Sequence, residues 1–181
     1  MILGKRTRLR GIEREDLPRF VEWLNDPEVL RGLMVVVPLS MAQEQNWFDA
    51  MRSRPVEEHP LGIEIDTPEG WLLIGNIGMM NIDWRSRQAE VGIFIGDKRY
   101  WNQGYGRDAM VLMLRHAFFS LGLNRVYLRV YETNPRAAHS YQKAGFVLEG
   151  RQRQGHFQDG KFIDVLLMSV LRSEWQDNDQ V

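Results

Sequence analysis

Apolar positions along this chain recur at two periods, and the alternation between them lays out the elements. Thr7 to Arg10 has the length and composition of a short strand. Glu13-Arg14-Glu15-Asp16-Leu17-Pro18 opens a helix, since acidic residues and an early proline suit a first turn. Leu17, Phe20, Val21 and Leu24 then fall at helical spacing, and Asn25-Asp26-Pro27 stops the pattern. Ser40 with Gln43 three residues on is a capping-box signature for a helix carrying Trp47, Phe48 and Met51. Residues 61–65 and 71–80 are strand-like and are separated by the turn-forming Asp66-Thr67-Pro68-Glu69-Gly70. Gln88 to Ile95 adds a third antiparallel strand. A long helix from Gly104 places Met110, Met113, Leu114, Ala117 and Leu121 on one stripe, closed by Gly122. Arg125 to Val130 reads as a strand, Arg136 to Ala144 as a helix and Phe146 to Glu149 as a strand. Phe162 to Leu171 is a final strand after the turn Gln158-Asp159-Gly160-Lys161. The run Leu33-Met34-Val35-Val36-Val37 fits either a buried strand or a pocket-lining loop.

The resulting order, β-α-α-β-β-β-α-β-α-β-β, predicts an α+β sandwich of helices on a mixed sheet. The chain reads as one domain over residues 1–175, followed by a polar, frayed tail at 176–181. Its 181 residues can bury one sizeable core.

Composition narrows the function. The 23 basic and 24 acidic residues nearly balance, which argues against a nucleic-acid partner. Cysteine is absent, so disulfides and thiolate nucleophiles are excluded. No apolar run approaches the ~20 residues of a membrane span, and the first residues lack the apolar region of a secretory signal. The expected compartment is the cytoplasm, with no membrane partner. His59, His116, His139 and His156 have no metal-ligand spacing, so no metal site is expected.

Two segments carry candidate chemistry. In the first, the apolar strand Ile93-Phe94-Ile95 runs through Trp101-Asn102-Gln103-Gly104-Tyr105-Gly106-Arg107 into the long helix. Glycines there let a ligand approach the backbone, and the helix start offers free N–H groups to an anion. A plain tight turn is the competing reading. The second segment is Asn134-Pro135-Arg136-Ala137-Ala138-His139-Ser140-Tyr141-Gln142-Lys143-Ala144-Gly145-Phe146.

Together the two segments resemble the GNAT (Gcn5-related N-acetyltransferase) family. Gly104 and Gly106 match its pyrophosphate loop Q/R-x-x-G-x-G/A, with Trp101 standing where Gln or Arg is usual. Asn134, Ala137, Tyr141, Lys143, Gly145 and Phe146 match its N-x-x-A-x-x-x-Y-x-K-x-G-F pattern. The likeness runs from Thr7 to about Leu171 and looks closest to the branch of ribosomal-protein N-terminal and spermidine acetyltransferases. It implies a GNAT-type central mixed, mostly antiparallel sheet flanked by helices. It also implies acetyl-CoA as co-substrate and an amine acceptor: a protein N-terminus, a polyamine or another small amine. With no Cys nucleophile, the amine would attack the thioester directly in a ternary complex.

By this resemblance, the backbone at Asn102, Gln103, Gly104, Tyr105, Gly106 and Arg107 would hold the coenzyme pyrophosphate, with Trp101 beside it. Free backbone N–H groups near Phe94 and Ile95 would face the carrier. Asn134 would contact the coenzyme, with a helix cap as its alternative role. Lys143 would approach the nucleotide end, or stand solvated. Tyr141 holds the family's general-acid position and would protonate the leaving thiolate, against the alternative of a packed aromatic. Tyr100, Tyr105, Tyr127 and Tyr131 lack that motif support as acids. Glu90, on the strand leading into the carrier site, is the candidate base, directly or through a water, with Asp83 and Glu132 as rivals. Glu13, Glu15, Asp26, Glu28 and Glu44 are available for an acidic acceptor pocket or for a solvated face. A non-catalytic acyl-CoA-binding module and a nucleotide-binding regulator are the competing classes. Exposed strand edges and the apolar run at 33–37 are compatible with a homodimer.

Overall fold

The computed structural model describes residues 1–33 and 38–177. The strands are β1 (Ile2–Leu3), β2 (Thr7–Gly11), β3 (Leu61–Thr67), β4 (Gly70–Asp83), β5 (Gln88–Ile95), β6 (Arg125–Tyr131), β7 (Val147–Gln158) and β8 (Lys161–Leu171). The α-helices are α1 (Leu17–Trp23), α2 (Pro27–Leu30), α3 (Met41–Met51), α4 (Tyr105–Arg115) and α5 (Pro135–Lys143). All eight strands join one sheet in the order β1-β2-β3-β4-β5-β6-β8-β7.

Local chemistry sets the element boundaries. Ser40 Oγ accepts from Gln43 N, and Gln43 Oε1 accepts from Ser40 N, so the capping box starts α3. Asp26 caps α2 by accepting from Glu28 N at 2.8 Å. Asp159 and Gly160 both take positive φ, 51° and 78°, which turns β7 back onto β8. α4 runs into a π turn, His116–Ser120, before Gly122 at φ 67° ends it.

Three features differ from the sequence reading. β1 and α2 are additional, and β7 extends to Gln158 instead of stopping at Glu149. β7 is an edge strand, exposed along most of its length and bulged near Leu148/Gly150 and Gln152/His156. With so little of it buried, no apolar alternation marks it in sequence. Of the apolar run 33–37, residues 34–37 lie outside the described residues. At the other end, Asp177 accepts two hydrogen bonds from Arg115, at 2.8 and 2.7 Å, so the tail is fastened at that point.

Each face of the sheet has its own core. Met110, Met113, Leu114 and Phe118 pack on one face against Ile63, Ile77, Val126 and Met168. Phe20, Trp23, Phe48 and Met51 pack with Leu73 and Phe94 on the other. The adjacent residues Leu73 and Ile74 fall in opposite cores, as strand alternation requires.

Every strand pair is antiparallel except β5 with β6. That parallel pair holds only at Gln88↔Arg125, Ala89↔Val126 and Glu90↔Tyr127. Beyond Glu90 the two strands separate, leaving an opening in the middle of the sheet.

Candidate active site

The opening between β5 and β6 organises the site. Ile93 and Ile95 face the α4 core, while Phe94 packs on the α1–α3 side, in edge contact with Phe20 at 6.2 Å. Strand alternation places Glu90 on the same side as Phe94. Its β6 partner Tyr127 therefore faces that side too, as does Tyr131 four residues on. Gly92 contributes no side chain between Glu90 and Phe94.

Glu90 is 8% exposed and already engaged. Its Oε1 accepts from Arg129 Nε at 2.8 Å, and its Oε2 accepts from Asn81 Nδ2 at 3.2 Å. Both partners sit on the neighbouring strands, so the carboxylate spans the point where the sheet divides. Of its rivals, Asp83 accepts from the Ser86 hydroxyl and from two backbone N–H groups. Glu132 is tied to Arg151 and to the backbone of Asp164.

The turn between β5 and α4 is left-handed at Asn102 (φ 62°) and Gly104 (φ 87°). Gly104 is the N-cap residue of α4 and offers no side chain to its first N–H groups. The first helical bond runs from Asp108 N to Gly104 O, so the N–H groups of Tyr105, Gly106 and Arg107 precede the helical ladder. A Cβ added at Gly106 would meet only Ile95 Cγ1, at 3.7 Å, an ordinary contact. The protein itself therefore does not require glycine at 106.

Trp101 fastens this turn. Its indole Nε1 donates to the Ile95 carbonyl at 2.7 Å, tying the loop to the end of β5. Gln103 Nε2 donates to Arg99 O at 2.6 Å, and Tyr105 packs edge-on to Tyr100 at 6.0 Å. Arg107 is half exposed and 3.7 Å from Asp108, a weak surface pair.

The α5 residues lie beside the turn. Asn134 Oδ1 accepts from Ala137 N at 3.1 Å and so caps α5. Lys143 is exposed at the other end of the helix. Tyr141 packs against the α4-side core, its ring 6.0 Å from that of Phe146, and burial pushes its phenol up to about 12. Tyr141 and Glu90 thus belong to opposite faces of the sheet, and the opening between β5 and β6 lies between those faces.

Sequence reasoning missed three cations. Arg6, from the β1–β2 turn, bonds Asp108 and reaches Gln103 O at 3.4 Å, with its guanidinium 4.8 Å from the Tyr105 ring centre. Arg136 stacks on Trp101, and Arg129 pairs with Glu90. None has a local signal, because each is brought in by long-range strand or helix placement.

Residues 6–147 match the family model described as acetyltransferase (GNAT) domain, and the chain belongs to that family. It is 30% identical over 167 residues to a spermidine N(1)-acetyltransferase of Vibrio cholerae, covering 92% of this chain and 94% of that one. It is 31% identical over 115 residues to a putative ribosomal N-acetyltransferase of Bacillus subtilis, covering 64% and 62%. Its fold superposes with a TM-score of 0.85 on the spermidine N-acetyltransferase of Vibrio cholerae crystallised with CoA and spermine. That match has 26% identity and covers 94% of this chain and 98% of the other.

The protein is accordingly an N-acetyltransferase that moves acetyl from acetyl-CoA to an amine. Membership sets aside the nucleotide-binding regulator, and nothing in the comparisons supports a non-catalytic acyl-CoA-binding module. Among the described residues no group of three or more His, Asp and Glu is placed to hold a metal ion. No described helix is long and apolar enough to cross a membrane.

Proposed function

We propose that the acceptor is a small polyamine, acetylated by direct attack on acetyl-CoA in the opening between β5 and β6. Glu44 carries the choice of acceptor. It lies on the packed stripe of α3, three residues after Met41 and four before Phe48, and is 4% exposed. Among the described residues no hydrogen bond or ion pair reaches its carboxylate. Its stripe packs in the same core as Phe94, on the Glu90 side of the sheet. A buried carboxylate without a partner suits a ligand that brings its own positive charge. A polyamine has a second ammonium to offer once one nitrogen has been deprotonated for attack. Asp26 and Glu28 are by contrast exposed enough to share one partner, Lys98, which pairs with both. The spermidine acetyltransferase relatives support the same acceptor class.

The same reading assigns roles to the remaining residues. The α4 N–H groups at Tyr105, Gly106 and Arg107, with the Asn102–Gly104 turn, receive the coenzyme pyrophosphate. The backbone of Phe94 and Ile95, past the last β5–β6 pair, lines the thioester. Asn134, with Oδ1 committed to its helix cap, offers Nδ2 to the carrier, and Lys143 lies toward the nucleotide end. The amine approaches from the Glu90 face, and its proton leaves to Glu90 directly or through a water. Tyr141 gives a proton to the departing thiolate from the opposite face. A phenol near 12 stays protonated at neutral pH, as a donor must.

Initial rates of thiol release with spermidine, 1,4-diaminobutane and a Ser-initiated hexapeptide test the acceptor. Spermidine is expected to exceed the peptide in kcat/KM by at least about tenfold, and Glu44→Gln is expected to shrink that ratio. A peptide turned over faster than spermidine overturns the polyamine reading.

A further inference from the structure

One buried polar group on the acceptor side is used by nothing described so far. The Tyr131 hydroxyl lies inside the protein without a hydrogen-bond partner among the described residues, and the residue is 7% exposed. Buried hydroxyls are almost always bonded, so an orphan calls for a cause. Its ring is held firmly. The His156 imidazole stacks on it at 4.2 Å and 9° between planes, and Ile163 and Val165 pack with it.

Its position supplies the cause. Tyr131 ends β6, four residues past the last β5–β6 pair, Glu90↔Tyr127, and so lies along the opening. Strand alternation puts its side chain on the Glu90 and Phe94 face. The nearby charges are satisfied among themselves, since Arg151 pairs with both Glu132 and Asp164. The phenol is thus an enclosed, uncharged hydrogen-bonding group on the same face of the sheet as Glu90 and Phe94.

We infer that Tyr131 is an acceptor-binding residue whose Oη takes a hydrogen bond from an N–H of the incoming amine. His156 acts as a positioning residue by clamping the ring. The contact leaves the nitrogen lone pair free to face the thioester, and no covalent step passes through the phenol. This inference rests on the assignment of the opening between β5 and β6 as the site of amine attack.

Tyr131→Phe removes the hydroxyl and keeps the stacked ring. Kinetics are measured with acetyl-CoA and whichever of spermidine, 1,4-diaminobutane or the Ser-initiated hexapeptide the wild type turns over fastest. The expected result is an acceptor KM raised about tenfold, the size of one lost hydrogen bond, with the KM for acetyl-CoA within twofold. Ligand-free Tm should rise by about 2–4 °C, because an unpaired buried hydroxyl is removed. His156→Ala should raise acceptor KM in the same direction. An unchanged acceptor KM in Tyr131→Phe overturns the inference and leaves the acetyltransferase reading intact. A lowered Tm with both KM values shifted also overturns it, by making the hydroxyl structural. A wild type that turns over none of the three amines overturns the amine assignment and this inference with it.

Discussion

The guanidinium carbon of Arg136 lies 3.9 Å from the centre of the Trp101 ring, joining the first turn of α5 to the loop ahead of α4. Trp101 also donates to the Ile95 carbonyl, so one side chain ties together the end of β5, the glycine turn and α5. This ties down a loop whose family counterpart begins with Gln or Arg.

Removing Trp101 should therefore loosen the coenzyme site. A hydrogen bond of ~0.5–1.5 kcal/mol and a cation–π contact of ~0.5–1 kcal/mol are lost together in Trp101→Ala. Acetyl-CoA affinity measured by calorimetry should weaken about tenfold or more. Trp101→Phe keeps the ring under Arg136 and should stay within about threefold of wild type.

The two loop glycines should separate by mechanism. Gly104→Val forces a branched residue into φ 87°, so both Tm and coenzyme affinity should fall. Gly106→Ala meets only an ordinary contact, so its Tm should match wild type while acetyl-CoA binding weakens. Equal affinities in a folded Gly106→Ala protein would move the pyrophosphate elsewhere.

Tyr141→Phe should cut turnover by roughly 10²-fold, as for loss of a general acid, with acetyl-CoA binding within a few-fold. With its phenol pushed up to about 12, Tyr141 should contribute no alkaline limb to the rate profile up to about pH 10. Wild-type turnover in the variant would assign the proton to solvent.

Glu90→Gln should lower turnover, with acetyl-CoA affinity nearly unchanged, if Glu90 takes the amine proton. Its bond with Arg129 introduces a second effect, because the variant also leaves a guanidinium without its carboxylate. Arg129→Ala breaks the pair and keeps the carboxylate. A loss of turnover seen only in Glu90→Gln identifies the base, and equal losses in both variants identify a strand-junction clamp.

Burial pushes the Glu44 carboxyl above the ordinary glutamate value of 4.5. The folded state thus favours the protonated form. Its stabilising effect is complete below 4.5 and is lost as pH rises through the higher folded value. Glu44→Gln should raise Tm most near neutral pH, with the gain vanishing toward pH 4. A gain that is constant with pH would show that the carboxyl is not responsible.

Much of this was legible in the sequence because local rules decide it. The capping box at Ser40, the stripe along α4 and the Asp159-Gly160 turn each depend on a few neighbouring residues, and each forms where expected. β7 was not legible past Glu149, because an exposed edge strand has no face to bury and hence no period. The site was legible only where its residues share one contiguous motif. The pairing of Glu90 with Arg129 depends on a parallel register between distant strands, and Arg6 reaches Asp108 across 102 positions of sequence. Tyr131 belongs to no motif and is distinguished only by an unmet hydrogen bond, which no one-dimensional pattern records.

The shortness of the β5–β6 pairing also bears on how the chain folds. β3, β4 and β5 join neighbour to neighbour through short turns, as do β7 and β8, so these pairings close small loops. The parallel seam must instead close the whole segment between Gln88 and Arg125, and it returns only three residue pairs for that lost chain freedom. Its formation is therefore expected after those of the hairpins. Backbone amides along the seam should accordingly exchange with deuterium sooner than those at the centre of β3–β4.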